Sequence, residues 1–154
     1  MIELTDDIEL INKIMNNSLI YQMANGSGVD APFNKSNTEE LKELGFKFLA
    51  VYNNKDLIGM INIRPLTKIC LEVHINILPE YHKVGLGKKA HDEGLIWTKA
   101  NTEFLSVMTY VPENCFHVLK FMQDNKWKAQ GVFKDAIIYN NELTNLLMFQ
   151  RGIS

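Results

Sequence analysis

Cysteine is scarce in this chain: Cys70 and Cys115 are the only two among 154 residues. They match no metal-ligand spacing and do not amount to a disulfide framework, so Cys70 reads as an ordinary residue of a core strand. Proline occurs four times, never in a linker-like or low-complexity tract, and no internal repeat is present. Long apolar runs are missing too; none approaches the roughly 20 residues a membrane span needs. The opening Met1-Ile2-Glu3-Leu4-Thr5-Asp6-Asp7 has neither the basic nor the apolar region of a signal peptide. Charge of one sign is not in excess: the net charge of -2 argues against the broad cationic footprint of a nucleic-acid module. What is there is a chain with 46% hydrophobic residues and a length that suits one domain with an ordinary core. The expectation is a single cytoplasmic domain over residues 1–154, with no metal, membrane or nucleic-acid partner.

Periodicity and turn residues outline the elements. Thr5 caps a helix with Asp6 and Asp7 in its first turn and an apolar stripe of Ile8, Ile11, Ile14 and Met15. A second helical stretch over Ser18 to Met23 breaks at Asn25-Gly26-Ser27-Gly28 into a loop that runs to about Asn37. Asn37 and Glu40 form a capping box for a brief helix ending at Gly45. Strands follow from Phe46 to Tyr52 and from Leu57 to Arg64, joined in a hairpin by Asn53-Asn54-Lys55-Asp56. A third strand runs from Ile69 to Ile77. Beyond it come a helix to about Ala100, a strand from Phe104 to Tyr110 ended by Val111-Pro112-Glu113-Asn114, and a helix from Cys115 to Asp124. Trp127 to Phe133, Ala136 to Tyr139 and Leu146 to Gln150 read as strands. An antiparallel meander followed by β-α-β-α-β predicts an α/β (α+β) domain, its mixed sheet covered by helices on both faces.

The joint between the third strand and the next helix reads Pro79-Glu80-Tyr81-His82-Lys83-Val84-Gly85-Leu86-Gly87. Pro79 ends the strand by fixing φ and removing a donor. The glycines let the backbone turn and present several N–H groups at a helix N-terminus. Such an end binds phosphate oxygens through free donors and the positive end of the helix dipole. Lys83, Lys88 and Lys89 add positive charge, so the physical reading is a pyrophosphate cradle. The blander reading is a glycine pair that merely turns the chain. The spacing is not that of a P-loop, and the dinucleotide fingerprint needs a third glycine where Ala90 stands.

The stretch from Ile77 to Gly87 resembles the acyl-CoA-binding motif of the GNAT acyltransferase superfamily, in which a strand ending in a V-x-P-like step runs into Q/R-x-x-G-x-G/A. His82 stands where Gln or Arg is usual. The resemblance covers most of the chain from Phe48 onward. It implies a GNAT-like, mostly antiparallel sheet that splays open after the strand preceding the glycine turn, with pantetheine filling the gap like an added strand. Carried onto this sequence, Ile75, Ile77 and Leu78 supply main-chain contacts to that arm. The main chain of Lys83, Val84, Gly85, Leu86, Gly87 and Lys88 holds the pyrophosphate, with His82 beside it. Asn114 matches the family's asparagine that opens a helix against the pantetheine arm; taken alone, it reads as a helix cap.

The same resemblance implies acetyl-CoA as acyl donor, and as acceptor an amine on a protein N-terminus, a lysine or a small molecule, attacked directly in a monomer or homodimer. The family's helix typically ends Tyr-x-x-x-Gly-Phe, and its Tyr often protonates the leaving thiolate. Here Phe121 or Met122 falls in that place, and neither donates a proton. A thiolate of ordinary pKa, about 8.5, needs little help in leaving. Tyr81 and Tyr110 are substitutes on other elements, with packing the simpler role for both. Trp127 to Gly131 and Leu143-Thr144-Asn145 faintly echo the branch that acetylates protein N-termini and small antibiotics. The wealth of asparagine and the short chain are similar to small phage-encoded members.

Acyl transfer to an amine needs an unprotonated nitrogen, hence a base or a water relay beside the thioester. Along the third strand Leu71, Val73, Ile75 and Ile77 face one side while Glu72, His74 and Asn76 face the other. Glu72 is the first candidate base and His74 the second; a solvated outer face is the other reading of that alternation. Acceptor recognition in the family comes from the N-terminal helices with their loop and from the final hairpin, here Ser18 to Phe33 and Ala136 to Phe149. Tyr21 and Asp30 are candidates to hold a cationic amine. The alternative function is a catalytically inactive GNAT-fold module that binds CoA or a protein partner, supported by the missing phenol and by His82.

Overall fold

The computed structural model describes residues 1–20 and 35–153. Seven strands form one sheet: β1 (Ile2–Thr5), β2 (Lys47–Asn53), β3 (Asp56–Pro65), β4 (Cys70–Ile77), β5 (Ser106–Pro112), β6 (Lys128–Tyr139) and β7 (Glu142–Gly152). Their order is β1-β2-β3-β4-β5-β7-β6, and every neighbouring pair is antiparallel except β4 with β5. Helices α1 (Ile8–Met15) and α2 (Lys35–Glu43) precede β2, α3 (Leu86–Asn101) joins β4 to β5, and α4 (Phe116–Asp124) joins β5 to β6.

Alternation along the central strands divides the core in two. Ile61, Ile63, Leu71 and Val73 point to one face, where Ala90 of α3, Met122 of α4 and Trp127 close over them. Phe48 and Met60 point to the other and meet Ile11, Ile14 and Met15 of α1. Strand β3 is buried on both faces through its middle, as a strand covered by helices on either side must be. Among the described residues no helix is long and apolar enough to cross a membrane.

The local structure departs from the sequence expectations at four places. Thr5 does not cap α1: it ends β1, opposite Phe48, and its hydroxyl accepts from the Asp7 amide at 3.2 Å. Asp7 is the cap instead, accepting from the Leu10 amide at 3.1 Å. Asn37 lies inside α2, which already starts at Lys35, so it opens no capping box there. The end of α2 is as expected: Gly45, at φ 87, lets the amides of Gly45 and Phe46 reach back to the carbonyls of Lys42 and Leu41. Strand β5 continues through Val111 and Pro112, which pair with Leu147 and Leu146; a proline is tolerated because it is the strand's last residue. The two strands expected between Trp127 and Tyr139 are one, bent by irregularities at Ala129/Gly131 and Phe133/Ile137. Of the expected Ser18 to Met23 helix, residues 18–20 are described and helical. The rest of it, Tyr21, Asp30 and the loop up to residue 34 lie outside the described residues, and residues 35–37, expected in that loop, belong to α2.

Strands β4 and β5 pair only at Cys70 with Ser106, Leu71 with Val107 and Glu72 with Met108. Strand β4 stays bonded to β3 up to Ile77, and β5 stays bonded to β7 up to Pro112. Each strand follows its own half of the sheet, and the two halves part.

Candidate functional site

The opening between β4 and β5 is lined by main chain that no strand pairs with among the described residues. The Leu78 amide donates to the Ile58 carbonyl at 2.9 Å. Alternate residues of an antiparallel ladder bond to the same neighbour, so Glu72, His74, Asn76 and Leu78 bond toward β3. Ile75 and Ile77 therefore turn their polar main chain toward β5, and past Glu72 no β5 residue pairs with β4 among the described residues. Leu78 stands apart from them. Its amide serves Ile58 and its carbonyl accepts from the Tyr81 amide at 2.9 Å, which leaves no main-chain group for the opening. Where the strands separate, Val73, Ile75, Val107 and Trp127 line a small cavity against α3.

At the mouth of this opening the chain makes a single 3-10 turn over Pro79–Tyr81 and enters α3. His82 folds back, its Nε2 donating to the Ile77 carbonyl at 2.8 Å. Lys83 (φ 64) and Gly85 (φ 81) take left-handed backbone, and Gly85 caps α3 without a side chain. The Lys89 amide donates to the Gly85 carbonyl at 3.1 Å and starts the helical ladder. The six amides from Lys83 to Lys88 donate to nothing among the described residues. The Lys88 ammonium is drawn along the helix to Asp92, 2.5 Å away, and Lys89 reaches the Asn53 side chain at 3.3 Å. Lys83 has no ion-pair partner among the described residues.

Two observations test whether these residues suit an acyl-CoA. Gly87 has an ordinary φ, and a Cβ built there meets no atom within 4 Å. Glycine in a helix costs up to about 1 kcal/mol relative to alanine, and nothing in the protein's own packing requires it. Open space over a bare backbone beside free amides suits a ligand that must come close. Asn114 supplies the second observation. It is not the helix cap, which is Cys115, and its buried Oδ1 has no hydrogen-bond partner. A buried acceptor left unpaired costs about 1–3 kcal/mol, so a donor on a ligand in the opening would satisfy it. The residues present fit the group.

On the opposite face of β4, Glu72 and His74 come together. Glu72 is 6% exposed. Arg64, opposite it in register, donates to Oε2 from Nε at 3.1 Å and from Nη2. His74 Nε2 donates to Oε1 at 2.6 Å. The Arg64 guanidinium in turn lies 4.8 Å over the Phe46 ring. Burial alone would push the Glu72 carboxyl up, but hydrogen bonds from His74 and Arg64, with their charge, hold it below the ordinary carboxylate range. Across the opening Tyr110 stacks on His74 with ring centroids 6.5 Å apart and meets Phe133 at 5.7 Å. Burial, reinforced by the Glu72 charge, raises the Tyr110 phenol. Next to His74 lie Asn62, opposite it on β3, and Asn76, two residues along β4. Asn62 Oδ1 and Asn76 Nδ2 are buried without partners; Asn62 Nδ2 touches Met15 Sδ at 3.6 Å.

The remaining candidates have structural surroundings. Tyr81 packs on the larger core cluster. Phe121 meets His91 edge-on at 5.2 Å, and Trp127 donates to His91 Nε2 at 3.0 Å. Arg64 and Asn62 went unnoticed at the sequence level because their signal is register: only the β3–β4 pairing puts them beside Glu72 and His74.

A family model described as protein of unknown function (DUF2824) matches residues 2–152. No curated protein matches the chain. Solved structures resemble it throughout. Spermidine N-acetyltransferase from Vibrio cholerae, in complex with CoA and spermine, has 15% identity and a TM-score of 0.81, over 99% of this chain and 94% of that one. Ribosomal-protein-alanine N-acetyltransferase from Brucella melitensis has 13% identity and a TM-score of 0.76, over 99% of each. An acetyltransferase of the GNAT family from Streptococcus pneumoniae has 17% identity and a TM-score of 0.76, over 100% and 99%. Identity this low makes the likeness one of fold. A mixed, mostly antiparallel, open sheet between two helical layers is the fold of the GNAT acetyltransferases, and on that fold the chain belongs to the DUF2824 family of proteins of unknown function.

Proposed function

We propose that this protein is an N-acetyltransferase that moves an acetyl group from acetyl-CoA to an amine by direct attack. The observation that carries the reading is the meeting of two features. Six free amides at the start of α3 sit at the mouth of a sheet opening whose main chain pairs with no strand. The amides of Lys83 to Lys88 hold the pyrophosphate, the Ile75 main chain and the Ile77 amide pair with the pantetheine arm, and Asn114 Oδ1 accepts from it. Bound there, acetyl-CoA supplies the thioester whose carbonyl the acceptor attacks. The resemblance to a Vibrio cholerae enzyme solved with CoA and spermine supports this use of the fold.

In this reading Glu72 orients and His74 accepts. Both Glu72 oxygens are engaged and its carboxyl is held acidic, which makes it a poor proton acceptor. It fixes the Nε2–H tautomer of His74, so that Nδ1 takes the proton the amine loses as the carbon–nitrogen bond forms and the carbon–sulfur bond breaks. Tyr110, across the opening, returns a proton to sulfur in this reading. The second reading, an inactive GNAT-fold binding module, draws on Phe121 and Met122 in the phenol's place and on His82 tied to Ile77. Thiol release from acetyl-CoA across a panel of amines separates the two. Acetyl-CoA that binds without turnover of any acceptor favours the module; absence of binding removes the enzyme and leaves the module only in its protein-binding form.

A further inference from the structure

We infer, on the reading of the site as an N-acetyltransferase, that its acceptor carries a neutral amide unit directly beside the amine, as a free peptide N-terminus does, and is not a polyamine. A polycation has to be met by carboxylates. Strands β4 and β5, which flank the opening, carry a single one, Glu72. It is buried, and both its oxygens are taken by Arg64 and His74, so its charge is already answered within the protein. No carboxylate of those strands is left for an ammonium group.

What the face offers instead is a matched pair of neutral hooks. Asn62, 6% exposed, has an unpaired acceptor in Oδ1, and Asn76 has an unpaired donor in Nδ2. Asn62 faces His74 across the β3–β4 ladder and Asn76 faces Met60, so the two asparagines are diagonal neighbours with His74 at the third corner. Diagonal positions lie roughly 7 Å apart. At that spacing two side-chain amides can reach one peptide unit between them, N–H to one asparagine and C=O to the other. Reversing both side-chain amides swaps the roles and keeps the match, since each carries a donor and an acceptor. An ammonium chain offers donors alone and would leave Asn76 Nδ2 unpaired. A site with buried polar groups rejects the analogue that cannot pair them. The amine joined to such a peptide unit comes to lie beside His74, whereas a lysine amine is held several bonds away from its nearest amide.

The experiment uses the full chain with acetyl-CoA and three acceptors at equal concentration: a lysine-free peptide with a free N-terminus, an N-blocked peptide with one lysine, and spermine. The expected result is thiol release at least about tenfold faster, as kcat/KM, with the free N-terminus. Asn76→Ala should raise KM for that peptide about tenfold while the affinity for acetyl-CoA holds. In parallel, adding the peptide should shift the Asn62 and Asn76 side-chain amide resonances. Turnover led by spermine or by the lysine peptide overturns the inference. So does an unmoved pair of amide resonances, which means that the two asparagines hold water only. Should acetyl-CoA itself fail to bind, the acetyltransferase reading falls, and the amide resonances alone decide: a shift with peptide upholds the recognition of a peptide unit, and none removes it.

Discussion

Gly87 and Gly85 stand two residues apart and answer to different demands. Gly85 needs its glycine for a left-handed φ of 81, whereas Gly87 has an ordinary φ and empty space where a Cβ would stand. Alanine at Gly87 should therefore raise stability by up to about 1 kcal/mol while filling the space over the free amides. Thermal melts and calorimetry with acetyl-CoA should move in opposite directions, and undiminished affinity would take the pyrophosphate away from this turn. At the floor of the site, Glu72→Gln leaves the shape but removes the charge that holds Arg64 and the His74 tautomer. Turnover should fall about a hundredfold with acetyl-CoA affinity unchanged. If the rate is unaltered, the proton leaves by another route. The alternation of β4 made Glu72 and His74 visible as a pair in the sequence. The proposed roles reverse the order expected from the sequence because of Arg64, eight residues away along the chain and opposite Glu72 in the ladder, a partner that alternation does not reveal.

At the level of elements, a buried histidine ties α3 to the far half of the sheet. His91 is 1% exposed; its Nδ1 donates to Asp92 at 2.8 Å, its Nε2 accepts from Trp127 at 3.0 Å, and the Arg151 guanidinium of β7 lies 3.4 Å from that nitrogen. Burial pushes the imidazole below its ordinary value, against the raising effect of Asp92, and Arg151 and Lys88 add to the depression. A histidine depressed in the folded state takes up a proton more readily when unfolded. Stability from this contact is present above the ordinary value of about 6.5 and is lost as pH falls below it. Melting temperature should drop from pH 8 to pH 5.5, and Trp127→Phe should lower it at the higher pH by removing the hydrogen bond. A melting temperature insensitive to pH in that window would remove His91 as the cause. Helix α3 itself is legible in the sequence, where Ala90, Gly94, Leu95 and Trp97 fall at helical spacing. Strand β1 was not: four residues without a turn before them carry no period, and their pairing with β2 is a tertiary fact.

For the molecule as a whole, the meander and the β-α-β-α-β run were legible because each strand is bounded by turn residues. The parting of β4 from β5 was not legible in periodicity. Hydrogen-bond partners more than thirty residues apart decide it, and it entered the sequence reading through family resemblance alone. A ligand that binds the folded chain should stabilise it by about 2.7 kcal/mol at one hundred times its dissociation constant. With acetyl-CoA, melting should rise accordingly, and the amides of Ile75 and Ile77 should exchange more slowly with solvent. Rapid exchange that persists at saturation would mean that nothing lodges against β4.

Three residue pairs stitch β4 to β5, so the two wings of the sheet share a short seam and a helical strap. An occupant wedged between them works as mortar, and without it the wings should breathe about that seam.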